Sequence, residues 1–205
     1  MHDNVLEQPH MSSRLRSRAG LIALLSLFLG PLVLATLWYS MVDELRPSGH
    51  VNHGTLLSPM TTLAGLSLRH ADGSSLPADW ILGRWTLVQV GGARCDLYCE
   101  AALFKTRQAQ AMLGRDEDRV QRLYVLSEPA GPGVRALFSE HPGMEVVTGT
   151  REQLEPLLTA LPGHAHGTVY LVDPLGNVMM RYDATATTKG VVKDLQRLLK
   201  VSKIG

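Results

Sequence analysis

From Ala19 to Val42 (AGLIALLSLFLGPLVLATLWYSMV) the chain carries no charged side chain. That run exceeds the roughly 20 residues a helix needs to cross about 30 Å of hydrocarbon. It predicts a membrane helix over 19–42. Arg14, Arg16 and Arg18 precede it, and Asp43 and Glu44 follow. Basic residues gather on the cytoplasmic side of membrane helices, so residues 1–18 are expected as a cytoplasmic tail and the bulk of the chain on the far side of a bacterial inner membrane, in the periplasm. Trp38 and Tyr39 suit an interfacial aromatic pair, and Pro31 is tolerated where neighbours or water satisfy the freed carbonyl. A cleaved signal peptide is the competing reading, but the run is longer than a signal core and no A-x-A site follows it.

The remaining chain has enough material for one compact domain. A formal net charge of +1 over 205 residues, with no basic stripe, gives no reason to expect nucleic acid as a partner. Residues 43–59 contain the polar, Pro- and Gly-bearing stretch RPSGHVNHGTLLSP and lack periodicity, so they read as a stalk. The domain is then expected over 60–205. No internal repeat or low-complexity tract argues for a solenoid or a disordered scaffold.

Within the domain, strand and helix patterns alternate. Trp85 to Val90 (WTLVQV) reads as a strand ending at Gly91-Gly92, and Leu97 to Leu113 as a helix stopped by Gly114, with Leu103, Phe104, Ala111 and Met112 at helical spacing. Val120 to Leu126 reads as a strand, Val134 to Glu140 as a short helix, Met144 to Val147 as a strand and Arg151 to Leu161 as a helix. Val169 to Val172 and Val178 to Tyr182 form a hairpin through Asp173-Pro174-Leu175-Gly176-Asn177, where the glycine suits positive φ. Gly190 to Val201 closes the chain as an amphipathic helix. The fold class is α/β, a mixed sheet flanked by helices whose order resembles a thioredoxin-like domain.

Only two cysteines occur, in Cys95-Asp96-Leu97-Tyr98-Cys99, at a junction from strand to helix in a part of the chain expected in an oxidising compartment. A helix N-terminus favours a thiolate, which makes Cys95 the more acidic thiol, with Arg94 beside it. Residues four apart on a helix have Cβ atoms roughly 5–6 Å apart, so the pair can form a redox disulfide or offer two soft thiolates to copper. A zinc site would want more ligands than the cysteines supply. A purely structural disulfide across so short a loop contributes only about 2 kcal/mol in the chain-entropy model, and two inert core cysteines fit poorly at such a junction.

Copper held by two thiolates often recruits an imidazole. His164 and His166 lie in LPGHAHG, directly before the Val169 strand, and either could complete a Cys2His site. His50, His53, His70 and His141 sit in weakly patterned segments and read as surface residues. Met179 and Met180 read as core rather than ligands.

The anchor, WTLVQVG, the C-x3-C motif, a loop histidine and a YLVDP strand together resemble the Sco/SenC family, across roughly Trp85 to Tyr182. The resemblance implies a membrane-tethered thioredoxin-like protein that binds copper through Cys95, Cys99 and a histidine. It also implies a partner, a cytochrome c oxidase subunit or other oxidase assembly factors. The family histidine stands five residues before the strand tyrosine, a position held here by Ala165 between His164 and His166. The family's proline after each cysteine is replaced by Asp96 and Glu100, marking a divergent member. The expected function is a metallochaperone or thiol-redox factor of oxidase assembly. The alternatives are a thiol-disulfide reductase of oxidase cysteines without stable copper binding, and a tethered assembly scaffold. Peroxidase active-site motifs are not recognisable.

Overall fold

The computed structural model describes residues 13–45 and 52–202. The expected tail as far as residue 12, and stalk residues 46–51 with His50, lie outside the described residues. The chain divides into two compact units, one ending at His50 and one starting at Val51.

The first unit contains one helix, α1 (Ser13–Leu45), with Pro31 inside it. Its segment Arg18–Trp38 has 21 residues and a mean hydropathy of 2.3. At the α-helical rise it is about 32 Å long, which with its apolarity is enough to cross a membrane. Leu21, Leu24, Leu25, Phe28, Leu32 and Trp38 are all exposed. A soluble surface helix would confine its apolar residues to one buried stripe.

The second unit has strands β1 (Thr55–Thr62), β2 (Arg69–His70), β3 (Trp85–Gly91), β4 (Val120–Leu126), β5 (Met144–Thr148), β6 (Val169–Val172) and β7 (Asn177–Tyr182). Its helices are α2 (Leu97–Ala111), α3 (Pro132–Ser139), α4 (Arg151–Ala160) and α5 (Thr188–Val201). The strands make one seven-stranded sheet in the order β1-β7-β6-β3-β4-β5-β2. The central β3, β4 and β5 are parallel, while β6, β7, β1 and β2 pair antiparallel. This is the mixed, helix-flanked, thioredoxin-like architecture expected from the pattern.

Period-two alternation sends the strand side chains to both faces of the sheet, where they form two large cores and a smaller one around Tyr124 and Leu126. Val88, Leu123, Val125, Tyr170 and Val172 pack with Leu154 and Leu157 of α4. Trp85, Leu87, Val169 and Leu171 pack with Ala102 and Ala109 of α2 and Val191 and Leu195 of α5. Burial on both faces is why the central strands read as nearly continuous apolar runs. Side-chain caps start the helices: Asp96 caps α2, Thr150 forms a capping box with Gln153 on α4, and Thr187 caps α5. Each such cap supplies about 1 kcal/mol. The β6–β7 turn has Gly176 at φ 87°, and Asp173 Oδ1 accepts the Leu175 and Asn177 N–H groups at 2.9 and 2.8 Å.

Several expectations need correction. The sheet takes in Thr55–Pro59, which read as stalk. β1 (TLLSPMTT) is mostly exposed and its register slips between Leu56 and Thr61, so it shows no clean alternation. His53 keeps the surface exposure expected of it but is tied to Asp194. Its backbone N–H and that of Gly54 donate to Asp194 Oδ2 at 2.8 and 2.9 Å, and its ring Nδ1 lies 3.1 Å from Asp194 Oδ1. Asp194 is only 1% exposed and also accepts from the Tyr182 hydroxyl at 3.3 Å. His141 is buried, at 6% exposure, rather than on the surface. His70 is half-buried, with its ring 3.1 Å from the Val146 carbonyl oxygen. The core reading of the two methionines, by contrast, holds: Met180 is buried and Met179 packs partly against the same core. Phe104 and Met112, expected on the packed face of α2, are exposed.

Candidate functional site

The site lies where β3 ends and α2 begins. Gly91 closes β3, and a Cβ there would overlap the Tyr124 hydroxyl, so the glycine leaves room for that ring to reach under the following loop. Asp96 is the N-cap of α2, in extended conformation, and its Oδ1 accepts the Cys99 N–H at 2.9 Å. Cys95 therefore stands one residue outside the helix and Cys99 in its first turn. The two are joined by a disulfide with their Cα atoms 5.2 Å apart.

The two sulfurs differ in surroundings. Cys99 is 5% exposed and packs with Leu103, Tyr124, Leu126 and Val134. Cys95 is only half-buried and lines a cleft between the turn and α3, with Arg94, Gly131, Pro132 and Glu140. A reagent reaching the turn meets Cys95 first, and Cys99 is positioned to act from inside, an arrangement suited to thiol–disulfide exchange. The Tyr124 hydroxyl lies 3.4 Å from Cys99 Sγ. Burial, with the Asp96 charge adding to it, pushes its pKa up to about 12, so it is a neutral donor.

The loop before β6 does approach the cysteine turn. His166 Nδ1 donates to Asp96 Oδ2 at 2.7 Å. The Cys99 N–H first, and the His166 ring second, hold the Asp96 carboxyl below its ordinary value. Gly167 has φ 82°, and a Cβ there would sit 3.0 Å from the Tyr98 carbonyl oxygen. His164 turns back on its own loop, with Nδ1 3.2 Å from the Leu161 carbonyl oxygen. It lines a cavity of about 260 Å³ with Glu128, Arg94 and His166. Among the described residues, no group of three His, Cys, Asp or Glu side chains is assembled to hold a metal. The disulfide-bonded sulfurs offer no thiolate; once reduced, they and an imidazole nitrogen are the donor set that suits copper.

Cys95, Cys99, His164 and His166 stand out from the sequence alone. Tyr124, Glu128 and Gly167 do not, and Asp96 does so only as a departure from a family motif. The signal for Asp96 was legible: an aspartate three residues ahead of a helical position is an N-cap pattern.

A thioredoxin-like domain with a disulfide-bonded turn at the start of its first helix is the class this fold and site define. The family model described as "transmembrane-like, thioredoxin-like, C-terminal domain" matches residues 85–202, and the chain belongs to that family. No curated protein sequence matches it significantly. Among solved structures, apo Sco1 from Thermus thermophilus is 22% identical with a TM-score of 0.60, covering 74% of this chain and 99% of its own. Yeast Sco1 with copper bound is 18% identical with a TM-score of 0.58, covering 73% and 93%. BsSco, described with a disulfide switch and as a member of the Sco family of cytochrome c oxidase assembly proteins, is 15% identical with a TM-score of 0.55, covering 69% and 95%. The Sco/SenC resemblance read from the sequence thus holds for the fold, at the low identity of a divergent relative.

Proposed function

We propose that this chain is a membrane-anchored, periplasm-facing factor of cytochrome c oxidase assembly, whose Cys95/Cys99 pair cycles between disulfide and dithiol and takes copper as cargo when reduced. The observation that carries this reading is the disulfide spanning the α2 N-cap, with an accessible Cys95 and a Cys99 sheltered against Tyr124. The apolar length of α1 supports the anchor, and the basic residues before it support the orientation.

In the redox step, the Cys95 thiolate attacks a sulfur of a partner disulfide and one partner thiolate leaves. The Cys99 thiolate then attacks Cys95 Sγ, forming the disulfide and releasing the second partner thiol. Two electrons and two protons pass from the dithiol to the partner's disulfide. In the copper role, the reduced sulfurs and the ring nitrogen of His166 or His164 bind the ion, and partner ligands displace them one at a time.

A second reading, reduction of oxidase cysteines without stable copper binding, is favoured by one observation: the unequal exposure of the two sulfurs, Cys95 half-buried and Cys99 only 5% exposed, which suits an attacking and a resolving thiol. Copper(I) titration of the reduced full-length chain in detergent against a competing chelator separates the two. Stoichiometric binding that needs both cysteines supports cargo transfer. No competitive binding by the folded, reduced chain removes it and leaves the redox function.

A further inference from the structure

Asp96 is the only side chain of the cysteine turn with a hydrogen bond to the histidine loop among those the structure gives. One carboxylate oxygen, Oδ1, accepts the Cys99 N–H at 2.9 Å and the other, Oδ2, accepts from His166 Nδ1 at 2.7 Å. Gly167, the next residue along, packs its backbone against Tyr98 of the same turn. The two loops therefore meet at two adjacent points, one polar and one steric.

An ionised carboxylate only accepts hydrogen bonds, so the proton on His166 faces Asp96 from Nδ1 and the neutral ring keeps its lone pair on Nε2. His164 has no such tie to the turn; its Nδ1 is engaged by the Leu161 carbonyl within its own loop. A carboxylate or carbonyl that holds the far nitrogen of a ligating imidazole fixes its tautomer and orientation, so both rings can keep Nε2 free, but of the two it is His166 that is held to the cysteine turn.

We propose that Asp96 is a positioning residue that ties the histidine loop to the cysteine turn, so that His166, through Nε2, and not His164, is the imidazole this site presents. The proposal rests on the copper-cargo reading for its use, and on geometry alone for the positioning. It gives the residue between the cysteines two tasks, capping α2 and orienting His166, and one substitution separates them. Serine is as good an N-cap as aspartate but is too short to keep both bonds.

The test uses the reduced full-length chain in detergent, with copper(I) as the probe. The His166 tautomer is read from long-range nitrogen–proton correlation spectra. Wild type is expected to be protonated on Nδ1. Asp96→Ser should lose that preference, and Asp96→Asn, whose amide nitrogen can face Nδ1 as a donor, should shift the proton toward Nε2. Copper affinity is expected to fall about 10- to 100-fold in Asp96→Ser, the range for lost partners of metal ligands. The Asp96→Ser/His166→Ala double variant should bind no more weakly than His166→Ala alone, and His164→Ala should bind like wild type. An unchanged tautomer in both Asp96 variants overturns the proposal. So does wild-type affinity in Asp96→Ser, or a loss in His164→Ala as large as in His166→Ala. If wild type takes up no copper, the cargo reading fails while the tautomer measurement still decides the positioning.

Discussion

Tyr124 sets its hydroxyl 3.4 Å from Cys99 Sγ, inside the small core that α2 and α3 close over the sheet. A disulfide sulfur has no proton to give, so the tyrosine is the donor. A thiolate accepts a hydrogen bond more strongly than a disulfide sulfur does, and the contact therefore favours the reduced pair. Tyr124→Phe is expected to lower the midpoint potential of the couple by about 10–30 mV, equivalent to one hydrogen bond of about 0.5–1.5 kcal/mol. Equilibration with glutathione followed by thiol trapping measures it, and an unchanged or raised potential would remove the hydroxyl from the redox chemistry.

The unequal exposure of the two sulfurs predicts an order of attack. In cells, Cys99→Ser should accumulate mixed disulfides through Cys95, visible as reducible higher-mass species, while Cys95→Ser should stay at background. Equal trapping by both variants would mean that Cys99 is reached as easily as Cys95, against its burial.

Asp194 is buried and accepts hydrogen bonds from His53, Gly54 and Tyr182. Asp194→Ala strands those donors and is expected to cost about 3 kcal/mol or more, a drop of roughly 6–12 °C in Tm for a unit of this size. Asp194→Asn keeps an acceptor and should lose less. Thermal unfolding in detergent, followed by circular dichroism, gives both values.

His141 predicts an acid-side loss of stability. Burial first, and then the charges of Arg122 and Arg107, hold its pKa below the ordinary 6.5. Folding thus prefers the neutral ring, and between the two pKa values the unfolded chain binds the extra proton. Its contribution is complete above about pH 6.5 and is lost as pH falls from there through the depressed folded value. Urea midpoints between pH 7.5 and 4.5 should decline more steeply in wild type than in His141→Gln; parallel declines would assign the loss to other groups.

The parts of this fold that were legible in the sequence are those with strong local patterns. Central strands such as Trp85–Gly91 are rich in apolar residues, with Thr86 and Gln89 as buried polar exceptions, because both faces are covered, and α5 shows its buried stripe in Val191, Leu195 and Leu199. The cysteine turn announced itself by its place between strand and helix. β1 and β2 were not legible, since an exposed edge strand and a two-residue strand carry no periodicity. The burial of His141 and the bonding of His53 were not legible for a related reason: both depend on tertiary packing, and the Asp194 that holds His53 lies 141 positions away. Whether His164 or His166 meets the cysteine turn was equally beyond local pattern, because the answer lies in one hydrogen bond across 70 positions.

β1 has a further consequence, for how this protein can be divided. It forms one border of the sheet and covers the hydrogen-bonding groups along β7. A fragment starting at residue 60 would strip half of that cover and the His53–Gly54 contacts with it, leaving β7 open to recruit a strand from another molecule. Soluble fragments should therefore begin no later than residue 52; shorter ones are expected to self-associate however well their remaining core is packed.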